Sequence, residues 1–164
     1  MRGDITSKIL VAGIGNIFLG DDGFGPEVIR RVPAHVAGPR VTVVDYGIRG
    51  LHLAYDLLDG YDAMVLVDAL PDRGAPGALR VFEADHDTLA GSVGVDAHAM
   101  DPTAVFASLA ALGGVAPYTV VIGCEVGDVD ERMGLSPAVA AAVEEAAAAV
   151  EEIVGRLLAE AKAG

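Results

Sequence analysis

The sequence is poor in several things at once. It has one cysteine, Cys124, which excludes both an intramolecular disulfide framework and a cysteine-cluster metal site. Tryptophan is absent and aromatic residues make up 5% of the chain, so a core must come from Val, Leu and Ile faced by Ala-rich helices. Basic residues are scarce, with 11 Lys and Arg against 24 Asp and Glu and a net charge of −13. Such a balance repels phosphate backbones and anionic lipid, which argues against nucleic-acid and membrane binding. No apolar run reaches the roughly 18 residues needed to span a bilayer. No signal-peptide hydrophobic region follows Met1, and the expectation is a soluble cytoplasmic protein.

What is present fits one compact domain over residues 1–164, with 52% hydrophobic residues and a mean hydropathy of +0.46. Continuous apolar runs at 9–13, 41–45, 63–68 and 118–122 read as buried parallel strands. Residues 79–83 alternate weakly and follow the preceding strand too closely for a helical crossover, so an antiparallel edge is expected there. Helical patterns fall at 26–32, 51–58 (with Leu53, Leu57 and Leu58 on one side) and 102–112. A longer helix should follow Ser136 as N-cap and Pro137 in its first turn, with Val139, Val143, Val150, Val154 and Leu157 inward. Residues 84–96 read as a surface loop. Strands alternating with helices predict an α/β protein, a three-layer α/β/α sandwich on a five-stranded, mostly parallel sheet. Ligands bind such sheets at the carboxyl ends of the strands, so those loops are the ones to search.

The first of them, residues 13–25, carries Gly13, Gly15, Gly20, Gly23, Gly25 and the adjacent Asp21 and Asp22. Gly13-x-Gly15 opens like a dinucleotide fingerprint, but Phe18 stands where the third glycine belongs. A nucleotide- or small-ligand-binding module is therefore the alternative reading. Asp68 closes the third apolar run, either as a site carboxylate or as the first residue of a turn ending at Pro71. His35 and His52 sit in bland contexts, and His86 lies among Asp85 and Asp87. His98 precedes a helix, which could bring it to the sheet edge. Asp22, Asp68 and His98 thus come from three separate loops, and two carboxylates with one imidazole would make an open mixed site for a borderline divalent ion. No H-E-x-x-H helix and no G-x-S-x-G elbow is present, and Cys124 reads as a small buried residue.

The stretch from Leu10 to Gly25 resembles the N-terminal signature of the [NiFe]-hydrogenase maturation proteases, a strand followed by G-x-G-N, a short apolar stretch and D-[DE]-G-x-G. The resemblance continues through Asp45-Tyr-Gly-Ile-Arg-Gly50, similar to a D-x-G-x-x-G turn. It also takes in Val65 to Ala69, His98 before a helix, and Gly134-Leu-Ser-Pro137. It implies an endopeptidase that removes the C-terminal extension of a hydrogenase large-subunit precursor after nickel insertion. The nickel, carried by the substrate, would be contacted by Asp22, Asp68 and His98. Asp45 would act on the attacking water or position the substrate, and Asn16, Gly47, Arg49 and Gly50 would contact substrate. Other divalent ions could occupy the site in the isolated protein. A monomer suffices for such a task, and a non-catalytic nickel-sensing partner is the rival within the same resemblance. One departure stands out: many members carry Gln-Pro after the last strand, where this chain has Glu125-Val126.

Overall fold

A computed structural model describes residues 7–84 and 102–163, without the side chains of 162 and 163. Five strands form one sheet: β1 (Ile9–Ile14), β2 (Val41–Gly47), β3 (Ala63–Leu70), β4 (Leu79–Glu83) and β5 (Tyr118–Glu125), in the order β2-β1-β3-β5-β4. All neighbours are parallel except β4, which runs antiparallel to β5 from Leu79 opposite Cys124 to Glu83 opposite Val120. The helices are α1 (Phe24–Arg31), α2 (Gly50–Leu57), α3 (Pro102–Ala111), α4 (Pro137–Ala140) and α5 (Val143–Ala163). The architecture is the expected α/β/α arrangement with its single antiparallel edge.

Side-chain alternation along the strands assigns the two faces. Val11, Val65, Val67 and Ile122 point into a core with Phe24 and Val28 of α1 and Val150, Ile153 and Val154 of α5. Leu10, Ala12, Met64 and Leu66 point the other way, against Leu53 and Leu57 of α2 and Val105, Phe106 and Leu109 of α3. Each large aliphatic buried this way contributes roughly 1.5–3 kcal/mol. The unbroken apolar run of β3 is therefore explained by helices on both of its faces. The edge strand β4 differs: among the described residues Val81 and Phe82, which point to opposite faces, both stay exposed.

Three expectations need correcting. β3 does not stop at Asp68 but continues to Leu70, because its pairing with β5 runs on through Asp68 opposite Gly123 and Leu70 opposite Glu125. Leu58 does not share the inward face of Leu53 and Leu57; α2 ends at Leu57 and Leu58 is left largely exposed. The C-terminal helix is two helices, with a turn at Ala141 and Ala142 where the Ala142 N–H donates to Val139 O. Ser136 occupies the N-cap position of α4, yet its side chain makes no capping bond. Its hydroxyl donates to Asp21. His86, His98 and most of the expected 84–96 loop lie outside the described residues.

Candidate active site at the strand carboxyl ends

The topology creates one crevice at the carboxyl edge. β3 pairs with β1 only as far as Val67, opposite Gly13. Beyond that point β3 holds β5 alone, and the chain of β1 has turned away into its glycine-rich loop. The order of strands reverses direction about β1, so this is the switch point at which open α/β sheets bind ligands. Asp68, 3% exposed, is the first residue of β3 past the divergence. Its Oδ1 accepts the N–H of Ala69 at 2.8 Å.

The other wall of the crevice is the loop from β1 into α1. A Cβ at Gly15 would run into the carbonyl oxygen of Asp22, and one at Gly25 into the carbonyl oxygens of Ile14 and Val67. A Cβ at Gly13 would strike Ile29 and the Gly25 carbonyl. These glycines are therefore needed so that α1 can lie directly on the ends of β1 and β3. Their space is filled by the protein's own backbone, which removes the reason for reading Gly13-x-Gly15 as a pyrophosphate cradle.

Between them, a short 3-10 turn at Gly20–Gly23 sends its two aspartates in different directions. Asp22 Oδ2 accepts the N–H of Asn16 at 2.8 Å, while its Oδ1 has no partner among the described residues. Asn16 Oδ1 in turn accepts the N–H of Phe18 at 2.9 Å, shaping the loop. Asp21 is fully buried and accepts four hydrogen bonds, from the amides of Gly127 and Asp128 at 2.8 Å and from the amide and hydroxyl of Ser136 at 2.6 and 2.8 Å. Burial opposes its charge, but these bonds outweigh burial and hold the carboxyl below its ordinary value. Asp21 is thus a tie between the first loop and the segment after β5. The Gly20 and Asp21 amides, donating to Arg132 O and Asp128 O, close the same seam.

The turn after β2 completes the rim. Asp45 Oδ1 accepts the N–H of Gly47 at 2.9 Å, an Asx turn that Gly47 follows at φ 54. The carbonyl of Gly47 accepts the N–H of Gly15 at 3.0 Å, joining this turn to the first loop. Arg49 folds back, donating from Nε to Tyr46 O at 3.2 Å and from Nη2 to Asp45 O at 2.9 Å. Gly50 is buried as the first residue of α2.

Of the sequence candidates, Asn16 and Asp22 lie on the loop after β1, Asp45, Gly47, Arg49 and Gly50 on the turn from β2 into α2, and Asp68 in β3 beyond its pairing with β1. The remaining candidate, His98, lies outside the described residues. Among the described residues no three His, Cys, Asp or Glu side chains gather closely enough to hold a metal ion. Glu125, where many members of the resembled family carry Gln, is buried. Its Oε1 accepts the amides of Arg73 and Ala75, and its Oε2 meets Arg80 at 2.6 Å. The inward roles of Asp21 and Glu125 had no signal in the sequence, since their partners lie 45 or more positions away. A cleft of about 280 Å³ runs along the flank of α1, past Ile17, Glu27, Arg30, Met133 and Val143, and includes neither Asp45 nor Asp68.

Comparison with known proteins agrees with this fold. The family model for hydrogenase maturation protease, HycI, matches residues 26–153, beginning just past the glycine-rich loop. A Methanocaldococcus jannaschii protein described as a hydrogenase maturation protease is 33% identical over 91% of this chain and 96% of its own. A hydrogenase 2 maturation peptidase structure from a Thaumarchaeota archaeon superposes with a TM-score of 0.67 at 25% identity, covering 91% of this chain and 99% of that one. The hydrogenase maturating endopeptidase HybD from Escherichia coli has the same fold, with a TM-score of 0.68 at 23% identity over 87% of this chain and 89% of that one. The chain belongs to the hydrogenase maturation protease family and is an endopeptidase of hydrogenase processing.

Proposed function

We propose that the chain cleaves the C-terminal extension from a nickel-loaded [NiFe]-hydrogenase large-subunit precursor, with the substrate's own nickel as the recognition mark. The observation that carries this reading is the placement of Asp68 where β1 leaves β3, with Asp22 on the turn that walls the same crevice. Asp22 keeps one carboxylate oxygen without a partner among the described residues while the other is held by Asn16. A ligand oriented by a backbone donor is what a divalent ion requires. His98 is assigned as the third contact. Two carboxylates and an imidazole suit nickel and leave positions for the substrate's own ligands.

Nickel held this way would fix the tail of the precursor against the rim, and closeness of the reacting groups lowers the barrier. It would also polarise the scissile carbonyl or a water. Asp45 has one oxygen spent on Gly47 and a second without a partner among the described residues. It is assigned to orient that water or the peptide. Asn16, Gly47, Arg49 and Gly50 form the adjacent substrate-contacting surface. The reading is completed by a single domain acting as a cytoplasmic monomer, without nucleic acid or membrane. In its support, no helix of the described residues is long and apolar enough to cross a membrane.

The test is incubation of nickel-loaded precursor with the wild-type protein and with Asp22→Ala, Asp68→Ala and His98→Ala, read as the mass of the large subunit. Loss of the tail with wild type alone is expected. Full processing by a variant removes that residue from the site, and processing of nickel-free precursor overturns the role of the metal. Capture of the precursor by wild type without any mass change would favour the non-catalytic partner.

A further inference from the structure

The turn at Asp45–Gly50 is held from behind by a side chain that faces away from the rim. Tyr46 is 1% exposed, packed in the core with Leu10, Ala12, Leu53 and Phe106. Its hydroxyl donates to Asp56 Oδ2 on α2 at 2.6 Å. The other oxygen of Asp56 lies 3.6 Å from His52 Nε2, and the His52 ring meets Tyr46 edge-on at 5.9 Å. The Tyr46 carbonyl accepts both the amide of Arg49 at 2.8 Å and its Nε at 3.2 Å. One residue therefore anchors the turn by its side chain and caps it by its backbone.

From that anchor a line of alternating chain links and hydrogen bonds reaches the crevice. Gly47, next to Tyr46, accepts from Gly15, and Asn16, next to Gly15, donates to Asp22. We infer that Tyr46 and Asp56 are positioning residues for the reaction, clamping the substrate-contacting turn onto α2 and, through Gly47 and Gly15, setting where Asp22 presents its carboxylate. This rests on the assignment of the rim made above. Space filling alone does not account for the pair, because phenylalanine would fill the same volume without a buried hydroxyl that needs an acceptor. Burial and the neighbouring Asp56 carboxylate push the phenol far above its usual range, so it remains a donor.

The discriminating variants are Tyr46→Phe, Asp56→Ala and Asp56→Asn. The first two each remove the clamp; asparagine keeps an oxygen that can accept from Tyr46. Processing of nickel-loaded precursor should show a KM raised about tenfold in Tyr46→Phe and Asp56→Ala, and a double variant no worse than either. Asp56→Asn should return KM to within about twofold of wild type. Amide exchange at Arg49 and Leu53, measured without substrate, should accelerate in Tyr46→Phe and Asp56→Ala and not in Asp56→Asn. Unchanged KM in a folded Tyr46→Phe protein overturns the inference, as does an Asp56→Asn protein that behaves like Asp56→Ala. Unchanged exchange at Arg49 and Leu53 overturns the clamp itself. A wild-type protein that leaves the precursor intact instead refutes the reading of the site, and the exchange measurement still decides the clamp.

Discussion

The amide of Ser136 donates to Oδ1 of Asp21 at 2.6 Å across 115 positions of sequence, and the Ser136 hydroxyl donates to Oδ2 of the same carboxylate at 2.8 Å. This pair fastens the first loop to the start of α4. Ser136 makes no capping bond to its own helix, while its hydroxyl hydrogen and its amide are both directed at Asp21.

Replacing Asp21 by Asn should therefore destabilise the protein far more than removing the serine hydroxyl. An amide side chain presents an NH2 group where Gly127, Asp128 or Ser136 donates, leaving at least one buried donor unsatisfied. A loss of about 3 kcal/mol is expected for Asp21→Asn, against about 1 kcal/mol for Ser136→Ala. Urea unfolding of both variants measures the difference, and equal losses would contradict the tie.

Stability should fall on mild acidification. The bonds to Asp21 outweigh its burial and hold its carboxyl below the ordinary 3.8, and the Arg80 guanidinium, with the amides of Arg73 and Ala75, holds Glu125 below 4.5. Unfolding restores both to their ordinary values, so the unfolded chain binds protons first as pH drops. Their contribution is complete above about pH 5 and is lost progressively as pH falls through 4.5 and 3.8 toward the folded values. Thermal melts between pH 3 and 7 check this, and Asp21→Asn should flatten the acid limb.

Two glycines should respond in opposite ways to alanine. Gly25→Ala forces a methyl group into the carbonyls of Ile14 and Val67, lifting α1 from the sheet, and should cost about 3 kcal/mol or prevent folding. Gly155 lies within α5 with open space around it, and Gly155→Ala should stabilise by roughly 0.5–1 kcal/mol through helix propensity. Denaturant midpoints of the two variants test the contrast.

Cys124 should be unreactive in the native protein. Burial, then the charges of Asp21 and Glu125, push its thiol up to about 11. A disulfide reagent at pH 8 should label it only after unfolding, with a rate that follows global opening. Prompt labelling of the native protein would show that the β5 end is more open than this packing implies.

Much of the fold was legible because its signals are local. Apolar runs, the proline of α1 and the short β3–β4 connection each constrain a few neighbouring residues, and the sheet with its antiparallel edge follows from them. The glycine-rich loop was legible as a motif, and the packing supplies its cause: α1 sits on Ile14 and Val67 with no room for a Cβ. Strand ends were less legible. β3 runs past Asp68 because β5 continues beside it, which no property of residues 63–70 announces.

Residue type and order alone specify the layers, the strand ends to search for a site, and the acidic pair at 21 and 22. Which of those two carboxylates turns inward could be settled only in three dimensions. Neighbouring aspartates are chemically identical, and they differ here because Gly127, Asp128 and Ser136 converge on one of them. The same holds for Tyr46 and Asp56, ten positions apart, which meet because α2 packs back against the strand that precedes it. A carboxylate acquires its task from the donors that long-range packing brings to it.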